Sequence, residues 1–157
     1  MPSLPLSPAD AAAIGQPVRR FIADAIVPLE QDAFTRGVDD DLRVRMQKLA
    51  DDAGMLAPQA AREYGGGGAD FLTASVLLEE AGYSPLGPLA LNCAAPDEGN
   101  MHLLSVVATS AQKERYLRPL VRGKLRSCFA MTEPRLAPGR TLPRYRPLHA
   151  KPTVAGC

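Results

Sequence analysis

The chain has no tryptophan, two histidines and three cysteines among 157 residues, and aromatic residues are 5% of the total. Each scarcity excludes something. Cys93, Cys128 and Cys157 share no CxxC or metal-ligand spacing, and an odd number does not make a disulfide framework. Reduced thiols and no metal site are the expectation. His102 and His149 have no Ser, Cys or carboxylate at a motif spacing, and HExxH and GxSxG are absent. No catalytic residue is therefore assigned, and both histidines read as structural or surface groups. No apolar run approaches the ~20 residues of a membrane span, and no basic leader precedes the first apolar residues, which argues against a signal peptide. A cytoplasmic protein with no membrane partner is expected. Residues 1–134 carry 13 Lys or Arg against 17 Asp or Glu, so the body has no electrostatic reason to seek nucleic acid.

What is present is helical. Ser7, Pro8 and Asp10 make a helix start, with a cap, a preset first turn and a charge that suits the helix dipole. Ile14, Val18, Phe21, Ile22, Ala25, Ile26 and Leu29 follow at helical spacing. Gly15 and Pro17 weaken the first half, and Pro28 is expected to end the helix. Asp39-Asp40-Asp41 opens a second helix with Leu42, Met46, Leu49 and Ala53 on one side and Gly54 as its stop. The acidic run reads as a cap.

Gly65 to Gly68 is no phosphate loop, since neither a leading strand nor a Gly-Lys-Ser/Thr accompanies it. A tight corner between helices explains it better. Asp70 caps a third helix, from Phe71 to Ala81, that is apolar on most sides and so expected at the centre of the bundle. Glu79 and Glu80 belong on its surface. Asp97 starts a fourth helix, with Met101, Leu104, Ser105, Val107 and Ala108 inward. Ser110 caps a fifth, whose apolar side is Tyr116, Leu117, Leu120 and Val121, and Gly123 closes it. The fold class is all-α, a bundle of about five helices over 7–123.

Residues 124–134 alternate weakly and read as one short terminal strand. A flavin ring is planar and electron-poor, and proteins hold it with backbone donors, a hydroxyl and flat apolar contact. Phe129, Met131 and Thr132 offer those groups on an extended run; a plain buried strand end is the other reading. From Arg135 to Cys157 the chain holds five Arg or Lys, four Pro and no acidic residue. That basic composition predicts a disordered tail.

The order of several strings resembles the N-terminal helical part of an acyl-CoA dehydrogenase. They are Phe21-Ile22 through Val27-Pro28-Leu29-Glu30, Glu63-Tyr64-Gly65-Gly66, and Leu78-Glu79-Glu80. Then come Gln112-Lys113-Glu114-Arg115-Tyr116-Leu117 with Pro119-Leu120, and Phe129-Ala130-Met131-Thr132-Glu133-Pro134. The resemblance covers about residues 10–134. Asn92 to Met101 looks like the branch related to long-chain and hydroxylated-acyl enzymes. The resemblance implies FAD as cofactor and an acyl-CoA as substrate, oxidised to its 2,3-enoyl form by homo-oligomeric enzymes. In such enzymes a glutamate removes the α-proton while hydride passes to the flavin. Phe129, Met131 and Thr132 match positions beside the flavin and acyl chain. The family's base lies in a C-terminal bundle, and no residue here corresponds to it.

After Pro134 the chain departs from the family, which continues with a glycine-rich turn. The genetic code offers a reason. If each codon from 136 to 157 begins one base early, with freely chosen third bases, the chain becomes Pro-Gly-Ala-Gly-Ser-Asp-Pro-Ala-Ala-Leu-Ser-Thr-Thr-Ala-Arg-Lys-Ala-Asp-Gly-Gly-Trp-Val. The expectation is an out-of-frame tail on an N-terminal fragment that is inactive alone and self-associates. The alternative is a non-catalytic helical protein-interaction module.

Overall fold

A computed structural model describes residues 7–130. Helix α1 (Pro8–Phe21) starts where expected: Ser7 Oγ accepts from the Asp10 amide at 3.2 Å. Pro17 lies inside α1 without ending it. The rod then continues through a π turn (Ile22–Ile26) and a 3-10 turn (Val27–Leu29) into α2 (Glu30–Arg36). Pro28 therefore does not end the helix, contrary to expectation. A proline interrupts an α-helix because it lacks an N–H and its ring meets the carbonyl four residues back. The wider π turn before it shifts that carbonyl, and a first-turn position needs no N–H.

Helix α3 (Asp40–Asp52) is capped by Asp39, whose carboxylate accepts from the Leu42 amide at 2.8 Å. Its buried face is Arg43, Met46, Gln47 and Ala50: of the expected Leu42, Met46, Leu49 and Ala53, Met46 is buried, Leu42 and Leu49 are partly buried, and Ala53 is exposed. Helix α4 (Phe71–Ala81), capped by Asp70 onto the Thr73 amide at 2.9 Å, packs mainly on α1. It is not central: only Ala74 and Ala81 are buried, and Phe71 is 85% exposed.

A one-turn helix, α5 (Gly87–Ala90), packs on α3 and was not expected. Helix α6 (Asp97–Val107) follows; its Met101 is buried but Val107 faces outward. Helix α7 (Ser110–Gln112), a second π turn (Lys113–Leu117) and α8 (Arg118–Val121) form the last rod. Its cap is Thr109, not Ser110, in a capping box with Gln112. Pro119, like Pro28, is the second residue after a π turn. Leu117, Leu120 and Val121 are buried, whereas Tyr116 is 43% exposed.

The core runs through Ile22, Ile26, Met46, Leu91, Leu117 and Val121, none more than 1% exposed. Full burial of such a side chain contributes about 1.5–3 kcal/mol. A buried polar chain crosses this core. Arg43 Nη1 donates to Gln47 Oε1 (2.7 Å) and to the Gly123 carbonyl (3.0 Å). Asn92 Nδ2 donates to the Leu120 and Val121 carbonyls at 2.9 and 3.0 Å, tying the end of α8 to the bundle.

No strand occurs among the described residues. The part of 124–134 that is described, up to Ala130, has no regular structure and lies against α6. An extended segment needs a second strand's backbone to become a ladder. Met131 and Thr132, and the tail expected to be disordered, lie outside the described residues.

Candidate functional site

A groove of about 490 Å³ opens between α4 and α6. Ala74, Ser75 and Leu78 of α4 form one wall, and Glu98, Met101, His102 and Ser105 of α6 the other. Leu117 and Val121 lie beneath, with Tyr64 and Gly68 at one side. The lining is mostly apolar with a few polar groups, and sites for small molecules run from about 300 to 1,000 Å³. Ser105 Oγ donates to the His102 carbonyl at 2.7 Å, so its hydroxyl is spent on its own helix. Among the described residues the groove contains no Ser–His pair ready for nucleophilic chemistry.

Phe129 packs on the same helix. A Cβ built on Gly99 would lie 3.3 Å from the Phe129 Cζ, so the glycine makes room for the ring. The ring remains 52% exposed. Asp97 is 7% exposed, and its Oδ1 accepts from the Ser127 amide at 2.7 Å and from Ser127 Oγ at 2.6 Å. Asn100 Nδ2 donates to Ser127 Oγ at 2.8 Å. Asp97 and Asn100 were not singled out as site residues from the sequence. Their partner is 27–30 residues away, and no local pattern marks it.

Of the three residues expected at a flavin, only Phe129 is described. One half-exposed aromatic surface is not a cradle for FAD, which needs contact on both faces and donors at its edge. The described residues do not by themselves fit the cofactor. Cys93 is buried beside this region, and burial, aided by the charge of Glu98, pushes its thiol up to about 12. A protonated thiol is not a nucleophile.

The glycine run is a corner, as expected. Gly66, Gly67 and Gly68 donate their amides to the Ala61, Ala57 and Ala60 carbonyls, leaving none of these three for a phosphate. A Cβ on Gly66 would overlap the Ala60 carbonyl. Asp39 is used as a cap, and among the described residues no three His, Cys, Asp or Glu converge as metal ligands.

The strings that carry the family resemblance are structural ties. Glu30 accepts from the buried Ser84 hydroxyl at 2.7 Å. Glu80 pairs with Arg19, and Glu114 with Arg118, whose hydrogen bonds hold the Glu114 carboxyl below its usual range. Arg118 also donates to the Glu63 carbonyl at 2.6 Å and lies over the Tyr64 ring.

Comparisons with known proteins agree with the fold. The family described as "Acyl-CoA dehydrogenase, N-terminal domain" matches residues 8–124. "Probable acyl-CoA dehydrogenase FadE2" of Mycobacterium tuberculosis is 53% identical over 62 residues, covering 39% of this chain and 15% of that protein. "Acyl-CoA dehydrogenase family member 11" of Gallus gallus is 46% identical over 63 residues, 40% of this chain and 8% of that protein. "Probable acyl-CoA dehydrogenase IBR3" of Arabidopsis thaliana is 36% identical over 101 residues, 64% of this chain and 12% of that protein. A solved structure titled "Structure of a putative acyl-CoA dehydrogenase from Mycobacterium abscessus" superposes with a TM-score of 0.70 at 32% identity. It covers 84% of this chain and 36% of that one. The match thus spans at most 15% of these three curated relatives.

Proposed function

The chain belongs to the acyl-CoA dehydrogenase family, and from that premise we propose that residues 7–130 form the helical wall of a site for the acyl part of an acyl-CoA thioester. The observation that carries this reading is the apolar α4–α6 groove, with Phe129 seated on the helix that forms one of its walls. An alkyl chain entering the groove loses contact with water and meets Leu78, Met101 and Leu117, worth about 0.8 kcal/mol per buried CH2. In a dehydrogenase, FAD accepts the hydride when bound. What these residues contribute is a surface that orients the chain and keeps water from it.

We also propose that the 157-residue polypeptide does not oxidise acyl-CoA by itself and that a basic tail read out of frame follows Pro134. Supporting the first point, among the described residues Glu98 is the one carboxylate lining the groove, and the sequence resemblance assigns no residue of this chain the role of base. The test is purified chain with added FAD, an acyl-CoA and an electron-accepting dye. No flavin absorbance and no dye reduction are expected; acyl-CoA-dependent reduction overturns inactivity. Sequencing the encoding DNA through codon 135 decides the tail, and an unrelated or interrupted shifted frame overturns that reading.

The groove is tested by titrating a long-chain acyl-CoA calorimetrically. Binding is expected in the native chain and should weaken roughly 5- to 150-fold in Ser75→Phe, whose ring enters the groove at a cost typical of overpacking, about 1–3 kcal/mol. Equal binding by both proteins overturns the groove as the acyl site. We assign a homo-oligomer as its assembly by the same family premise, and the cytoplasm as its place from three cysteines that form no disulfide framework.

A further inference from the structure

The first turn of α6 holds a carboxylate whose position a helix dipole does not explain. An acidic residue at a helix start usually sits in solvent, where the dipole alone favours it. Asp97 is 7% exposed and is turned onto a segment 30 residues later. One oxygen, Oδ1, takes both hydrogens of Ser127, from the amide at 2.7 Å and from Oγ at 2.6 Å. Asn100, one turn along α6, donates to the same Oγ at 2.8 Å. Two residues beyond Ser127, Phe129 lies over Gly99, between these two residues on the helix.

Extended backbone alternates its side chains, so a slip of one residue would move Phe129 to the opposite face. Among the described residues no strand ladder holds 125–130 in place. We propose that Asp97 is a positioning residue that sets the register in which Phe129 is presented over Gly99 on α6, the helix that walls the α4–α6 groove. This rests on the reading of that groove as the acyl site. The hydrogen bonds to a carboxylate supply the constraint that a neighbouring strand would otherwise supply, and a charged acceptor holds a hydrogen more firmly than a neutral one.

The test uses the full chain. Since it has no tryptophan, Phe129→Trp introduces a single indole at the reporting position. Adding Asp97→Ala should shift the indole emission to the red and speed hydrogen exchange at the Ser127 amide at least about tenfold, as loss of a hydrogen bond to a charged group implies. Helicity and exchange in α3 should stay as they were. Asp97→Asn keeps an acceptor oxygen and should restore most of the emission and part of the protection, which a role in overall stability alone does not predict. Unchanged emission and exchange in folded Asp97→Ala overturns the proposal. If that variant unfolds, Ser127→Ala decides, because it removes one of the two hydrogens and leaves the carboxylate its amide partner. Faster exchange at residues 127–129 supports the clamp, and exchange equal to the native chain overturns it. Failure of acyl-CoA to bind the native chain would sink the acyl reading without touching the exchange result, so the two can fail separately.

Discussion

Asn92 is 3% exposed and holds a left-handed backbone, φ 53°, in which asparagine is tolerated better than most residues. Its amide satisfies two carbonyls at the end of α8. Asn92→Ala strands both acceptors and keeps the strain, so a loss of about 2–4 kcal/mol in urea unfolding is expected. Asn92→Gly relieves the strain only and should recover about 1 kcal/mol of that. Cys93 makes a different prediction, about pH. Its thiol is raised from 9.0 to about 12, by burial first and by the Glu98 charge second. Between pH 9 and 12 the unfolded chain gives up this proton and the folded chain keeps it, so stability falls as pH rises through that window. Below pH 9 both states hold the proton and the contribution is constant. Urea midpoints across pH 8–11 should decline less in Cys93→Ala than in the native chain; parallel declines would remove Cys93 as the cause.

At the level of elements, two glycines separate strain from overlap. Gly54 ends α3 at φ +69° with open space around its Cα, so Gly54→Ala costs about 1–2 kcal/mol of left-handed strain alone. A Cβ on Gly66 meets the backbone of Ala60, which cannot rotate away as a side chain can. Gly66→Ala should therefore cost about 3 kcal/mol or more, or prevent folding. Thermal unfolding of the pair checks this, and equal midpoints would contradict it. Helix starts were legible in the sequence because caps act locally: Ser7, Asp39 and Asp70 each bond an amide three residues on. Helix ends at proline were not. Pro28 read as a stop, but the π turn that precedes it depends on backbone hydrogen bonding that no residue type announces. The inner face of α3 was misread for a related reason. Arg43 and Gln47 are polar, yet they are buried because carbonyls of Gly123 and Leu89, far along the chain, accept from them. The groove and the Asp97 contacts were not legible, because they arise from helices and a segment that meet in three dimensions.

For the molecule as a whole, the outer face of α6 is the feature with the clearest consequence. Leu103, Val106 and Val107 stand at i, i+3 and i+4, so they share one face. They are 54%, 67% and 67% exposed, and Phe71 of α4 is 85% exposed as well. Scattered apolar residues on a surface are ordinary, but an aligned stripe is a contact surface or an aggregation liability. The helical body carries a modest acidic excess in the sequence, too little to keep such faces apart at physiological salt, where charges are screened beyond about 8 Å. The chain alone is therefore expected to elute ahead of a monomer in size exclusion at micromolar concentration, increasingly so as salt rises. Val106→Glu with Val107→Lys adds charge to the stripe without touching the groove, and helicity should be unchanged because both positions face outward. The double variant should elute as a monomer while still binding acyl-CoA as the native chain does. If it elutes like the native chain, the stripe is not what associates; if association vanishes together with acyl-CoA binding, the groove and the outer face are not independent.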